Sequence, residues 1–183
     1  MCHSISIFFN TKYILFKYSK HKMNQNDNKI GKDYEYYINN GLKHINNLNH
    51  KTAIDCFKKA IAIDNQNFKA YINLANLYVL NNNIEKSIEL LTKYTINYGF
   101  EKNIINHVSK ICIKYNLLND LEKIFDILKI KNLKINKDNG FIFFIEGQYY
   151  EKKLQLDLAI VSYSNSISCD KLFFDSYARI LNI

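Results

Sequence analysis

The sequence predicts an all-α protein: a right-handed superhelical solenoid of four antiparallel helix pairs plus one terminal helix. Three observations predict it. First, a passage recurs at a 34-residue step: Lys51–Ala60 returns as Glu85–Tyr94 and as Asn119–Leu128, and a fourth copy runs Asp157–Ser166. A fixed step of this size marks stacked helix pairs, each too small to bury its own apolar face. Second, apolar residues inside each copy recur at steps of three and four, the one-sided stripe of a 3.6-period helix. Third, small residues recur where the two helices of a pair must cross closely. These are Gly41, Ala75, Ser109 and Gly147 in the first helices, with Ala53, Ser87, Ala159, Ala60 and Ser166 in the second. A larger group there would push the axes apart.

Taken in order, residues 1–33 read as a poorly ordered, basic and apolar tail. Ile5, Ile7, Phe8, Phe9 and Tyr13–Phe16 make it apolar, but Asn10, Thr11 and Lys12 interrupt it. The runs are too short to span a bilayer, and no small-residue cleavage site follows. Organelle import by this tail is a competing reading, since no acid precedes Asp27, although arginine is absent there. A third reading takes Met23 as the true start. The repeat frames then run 34–67, 68–101, 102–135 and 140–173, with a partial fifth at 174–183. Lys137–Gly140 supplies most of a four-residue slip before the fourth frame.

In the second frame, Tyr71, Leu74, Ala75 and Tyr78 form the stripe of the first helix, and Asn81–Asn83 breaks it. Ile84, Ser87, Ile88, Leu91 and Tyr94 form the stripe of the second. Gly99 is expected to end that helix, because glycine is free to take positive φ. Asn65 is expected to do the same one frame earlier. Phe173, Phe174, Tyr177, Ile180, Leu181 and Ile183 make half a pair with no closing helix. Self-association through this C-terminal helix is therefore expected, because solenoids normally end in a polar cap.

Bulk composition narrows the function. Hydrophobic residues are 48% of the 183, ample for a core. The net charge of +8 is uneven: residues 1–30 hold five Lys against Asp27 alone. The repeats are only mildly basic, so charge alone argues weakly for nucleic acid. Cys2, Cys56, Cys112 and Cys169 are far apart, unlike a disulfide framework or a clustered metal site. A reducing compartment follows as the expectation, and the cytoplasm is the assigned location. There is no Gly-rich phosphate loop, no H-E-x-x-H and no G-x-S-x-G. No pair is marked for acid–base chemistry. No enzyme activity, metal or cofactor is expected.

The spaced residues resemble the tetratricopeptide repeat family, whose signature is aromatic–x2–Leu-Gly–x2–Tyr, then Ala–x3–Phe, then Ala, then Pro. The first frame matches at Tyr37, Gly41, Ala53, Phe57 and Ala60. The second matches at Tyr71, Leu74, Ala75, Tyr78 and Ser87, and the fourth at Phe143, Gly147, Tyr150, Ala159 and Tyr163. His44 stands in place of the usual Tyr, Leu121 in place of the small residue of the third frame, and no frame has the terminal Pro.

The resemblance implies a protein–protein interaction module, an adaptor or scaffold, whose first helices line a concave groove for a peptide or partner helix. By position, that groove presents Ile38, Leu42, Lys69, Ile72, Asn73, Asn76, Val79, Asn106, His107, Lys110, Phe144 and Gln148. The same positional reading adds Asn103, Ile113, Phe141 and Glu151 to the groove. Asparagine suits such a site, offering donors and an acceptor to a peptide backbone. The family's Lys/Asn clamp for a C-terminal carboxylate is incomplete here: Ile38 and Leu42 hold its first two places. One frame later, Ile72 and His107 interrupt it although Asn76 fits.

Two alternatives compete. The third frame is similar to a pentatricopeptide repeat, a family that reads RNA bases. A continuous Lys stripe would mark that function, and the groove is instead mixed Ile, Asn and Phe, so nucleic acid is disfavoured. The other alternative is the repeat region of a longer enzyme.

Overall fold

The computed structural model describes residues 30–130 and 140–183. Among these residues the chain is all helix, without a strand: α1 (30–46), α2 (His50–Ile63), α3 (Phe68–Leu80), α4 (Ile84–Tyr98), α5 (Lys102–Lys114), α6 (Leu118–Ile130), α7 (Gly140–Lys152), α8 (Leu156–Cys169) and α9 (Phe174–Leu181). The fold is a tetratricopeptide-like helical repeat. Residues 30–33, read from the sequence as tail, are already helical. The tail reading for 1–29 lies outside the described residues, as does most of the slip at Lys137–Gly140.

One backbone feature explains why each pair folds back on itself. Leu48, Asn82, Asn116 and Leu154 all take φ between 55° and 59°. They are spaced 34, 34 and 38 residues apart, so each holds the same place in its frame. Each ends its helix in the same double hydrogen bond. Asn82 N–H donates to Val79 O at 3.0 Å and Asn83 N–H to Tyr78 O at 2.8 Å. Leu48–Asn49, Asn116–Leu117 and Leu154–Gln155 repeat the pattern. A left-handed residue followed by a six-to-one bond satisfies the last carbonyls and turns the chain.

The chain divides into two compact units, one ending at Ala70 and one spanning Tyr71–Ile183. In the first, Asn49 both closes α1 and caps α2: its side chain accepts from Thr52 N–H at 3.3 Å. Asparagine is favoured there because its oxygen satisfies an orphan first-turn donor. The α1–α2 contact centres on Gly41, where a Cβ would sit 2.5 Å from the Phe57 ring. Phe57, Ala53 and Ala60 are fully buried. Tyr34, also buried, accepts the Ala70 N–H at 3.0 Å, satisfying a first-turn donor of α3. Burial pushes the Tyr34 hydroxyl up to about 12. α2 ends at Asp64, whose N–H donates to Ala60 O, one residue before the expected Asn65.

In the second unit the core is built from Leu74, Ala75, Leu77, Leu91, Ile104, Val108, Cys112, Leu121, Ile124 and Tyr163, all buried. Gly99 closes α4 at φ 85°, as its freedom predicts. Glu101 then caps α5, accepting from Asn103 N–H. Gly147 packs directly on the Tyr163 ring. Asp170 closes α8 and accepts the Leu172 N–H at 2.9 Å.

Candidate docking surface

The first helices of successive frames in the second unit are α3, α5 and α7, and α5 packs against α7. Asn76 is exposed on α3 and His107 half-buried on α5. His107 Nε2 lies 2.8 Å from Asn76 Oδ1. With an amide oxygen as acceptor, Nε2 carries the proton and Nδ1 is left as an acceptor. Burial lowers the His107 pKa from its usual value, and the Lys110 charge lowers it further. The imidazole is therefore neutral at pH 7, and the bond joins two neutral polar groups.

Around this bond Asn106 and Lys110 are exposed, and Ile72, Asn73 and Val79 half-buried. Asn103 is exposed, but both its backbone N–H and its side-chain amide donate to Glu101. Gln148 is half-buried on α7. Phe144 is less available than its register suggests, since its ring lies 5.7 Å from Tyr163 and 5.2 Å from Phe173. Phe141 is buried, with Phe100 and the Lys102 ammonium against its ring.

In the first unit, Leu42 and Lys69 are exposed. Ile38 is only 6% exposed, so it packs in the core and does not line an open surface. Its apolar character is consistent with either place, which is why register alone misassigned it. The structure thus joins Asn76 to His107 through a direct hydrogen bond.

Two arrangements escaped the sequence reading. Glu151, placed in the groove by position, accepts the Tyr163 hydroxyl at 2.7 Å and Arg179 Nη1 at 3.0 Å. Burial and this bond together raise the Tyr163 pKa. These partners lie 12 and 28 residues away, so no local motif signals them. A cleft of about 460 Å³ also opens between the second helices α4 and α6, floored by Ile88 and Leu117 and rimmed by Glu89, Lys93 and Lys123.

At this face the described side chains offer hydrogen bonding and apolar contact. Cys112 is fully buried, and burial pushes its thiol up to about 12, too high for a ready nucleophile. Among the described residues no group of three His, Cys, Asp or Glu could hold a metal. Among them, too, no helix is long and apolar enough to cross a membrane.

Comparison with known proteins agrees with this architecture. The TPR repeat model matches residues 49–89, from the cap of α2 into α4. No curated protein matches the chain in sequence. Among solved structures, pilF of Pseudomonas aeruginosa superposes with a TM-score of 0.61 at 13% identity, covering 84% of this chain and 68% of that one. A crystal structure of MamA gives 0.56 at 19% identity, over 82% and 80% of the two chains. MamA of Desulfovibrio magneticus RS-1, from residue 41 to its end, gives 0.55 at 8% identity, over 81% of each. Identities this low speak for fold alone. A tetratricopeptide repeat thus lies at residues 49–89, and the fold of the chain is that of tetratricopeptide-repeat proteins.

Proposed function

We infer that the α3–α5–α7 face is a docking groove for an extended peptide or a partner helix, and that the chain serves as a non-catalytic adaptor. Tetratricopeptide repeats typically scaffold protein interactions, and this reading gives that general use a place on this chain. The Asn76–His107 bond carries it. That bond ties the first helices of two successive repeats through groups that stay in contact with solvent. It pre-orders a polar stripe flanked by Asn73, Asn106 and Lys110, so less side-chain freedom is lost when a guest arrives. The amide and neutral imidazole suit a peptide backbone, while Ile72 and Val79 offer shallow apolar contact. The three cysteines among the described residues are free, which fits a reducing compartment such as the cytoplasm.

RNA binding would require a run of cations, and Lys110 is the one basic residue among the candidate positions on α3, α5 and α7 within this unit. A display selection of random twelve-residue peptides (roughly the span of a few repeats) on the full chain tests the reading. The expected result is an enriched set whose affinity falls about ten-fold in Asn76→Ala or Lys110→Ala, the effect of one lost polar contact of about 1.4 kcal/mol. Selected peptides indifferent to both changes would overturn it. Retention on poly-U that weakens steeply with salt would favour RNA instead.

A further inference from the structure

The charges of the second unit are sorted by helix. Residues 71–80 of α3 and the whole of α5 contain no Asp or Glu, whereas α5 carries Lys102, Lys110, Lys114 and His107. The second helices hold acids: Glu85 and Glu89 in α4, and Asp120, Glu122 and Asp126 in α6. Glu101, just before α5, caps its first turn. Both carboxylates of α7 face later helices. Glu146 accepts the Ser162 hydroxyl of α8 at 3.4 Å, and Glu151 accepts Tyr163 of α8 and Arg179 of α9. The α3–α5 side of the groove therefore presents positive charge with no carboxylate of its own helices to answer it.

The three lysines of α5 are not equivalent. The Lys102 ammonium lies 5.0 Å from the centre of the Phe141 ring, and that of Lys114 lies 5.3 Å from the Tyr115 ring. Lys110 is exposed and has neither a ring nor a carboxylate against it among the described residues. Its charge reaches His107, whose pKa is lowered first by burial and second by Lys110. The field at this spot is positive and uncompensated.

Neutral groups around Lys110 add donors. His107 engages Asn76 Oδ1, which leaves the Asn76 amide N–H groups to a guest. Asn106 is exposed one turn before Lys110, on the same side of α5. A carboxylate accepts hydrogen bonds only and carries the opposite charge, so it matches an ammonium flanked by amide donors. A chain terminus would call for further clamp residues, and two of those places hold Ile72 and His107. A carboxylate side chain within the guest calls only for Lys110 and its neighbours.

We propose that the guest of this groove is an acidic peptide lying along α3 and α5, with an Asp or Glu side chain set against Lys110 and Asn106. The proposal rests on the groove reading and adds the guest's charge to it. Complementary charge of this kind selects partners and speeds encounter more than it deepens affinity.

Two display libraries of random peptides test it on the full chain, one coding Asp and Glu but no Lys or Arg, the other the reverse. The acidic library should yield binders and the basic library none. Lys110→Glu sets like charges together and should weaken a selected peptide by about ten-fold or more. Lys93→Glu, the same change of net charge on α4, should stay within about two-fold, because solvent and salt screen distant surface charges. A peptide whose acids are changed to Lys should regain affinity for the Lys110→Glu protein. Amidating the peptide C-terminus should change nothing. No binder from either library, equal losses at Lys110 and Lys93, or affinity lost on amidation would each overturn the proposal. Retention on poly-U abolished by Lys110→Glu would overturn it in favour of RNA. Basic binders weakened by Asn76→Ala would overturn it and leave the groove reading standing. Acidic binders indifferent to Asn76→Ala and Lys110→Glu would overturn both.

Discussion

The first and fourth helix pairs, α1–α2 and α7–α8, differ from the second and third in how they achieve the same turn and the same close approach. The first and fourth place a glycine, Gly41 or Gly147, directly against an aromatic ring, Phe57 or Tyr163. They also hold a leucine, Leu48 or Leu154, in the left-handed turn. The second and third have Ala75 and Ser109 in the glycine place and Asn82 and Asn116 in the turn. The fold demands small volume at one place and positive φ at another, and it is indifferent to how each demand is met. The leucine turns are the strained solution: Leu48 and Leu154 are 83% and 84% exposed, so packing does not compensate a conformation that disfavours a Cβ.

Breaking the close approach should give the largest effect. Gly41→Val or Gly147→Val drives a branched side chain into a buried ring. Each should lower unfolding free energy by about 3 kcal/mol or more, while Ala75→Gly should lower it by about 1 kcal/mol through backbone entropy. Denaturant titration of the purified variants measures both. Equal losses at all three positions would mean that the glycine places are no tighter than the alanine place.

Exchanging the turn residues sharpens the contrast next. Leu154→Gly should stabilise by about 1 kcal/mol and Asn116→Leu should destabilise by a similar amount, because glycine and asparagine tolerate positive φ and leucine does not. The shift in thermal midpoint reads the sign.

Smaller still are the buried serines. Ser87 and Ser109 bury hydroxyls that find no partner among the described residues, whereas Ser166 accepts from Ser176. Replacing Ser109 by Ala should stabilise by about 0.5–1 kcal/mol, and Ser166→Ala should destabilise by about as much. Opposite signs at equally buried serines would show that Ser109 is held for its size and Ser166 for its hydrogen bond as well.

Smallest is a pH effect that belongs to the third pair. The folded-state pKa of His107 lies below its unfolded value through burial and Lys110. The unfolded chain therefore binds more protons between the two values. This contribution to stability is fully present above the ordinary histidine pKa of about 6.5 and declines as pH falls below it. His107→Gln should remove that part of the acid sensitivity.

Much of the fold was legible because it repeats. The small residues Ala53, Ala75 and Gly147 fall in the core where the 34-residue register places them, and Gly99 ends α4 as its backbone freedom predicts. The helix break was readable at Asn81–Asn83, but leucine carries no turn signal at Leu48 and Leu154. Only register could have exposed those two. The candidate site was less legible, since register says which residues share a face without saying what covers it. Ile38 turns inward and Phe144 tucks against Tyr163 and Phe173, while the Asn76–His107 bond depends on the spacing of two helices that no local pattern encodes.

The central claim, that a guest lies along the first helices of the repeats, is best tested by site-specific photo-cross-linking. A photoreactive phenylalanine analogue would replace Asn106, exposed on α5, or Glu89, on the rim of the cleft between α4 and α6. Each variant would be irradiated with a display-selected peptide. The account predicts capture from position 106 and little from position 89. Capture from 89 alone, or equal capture from both, would contradict it.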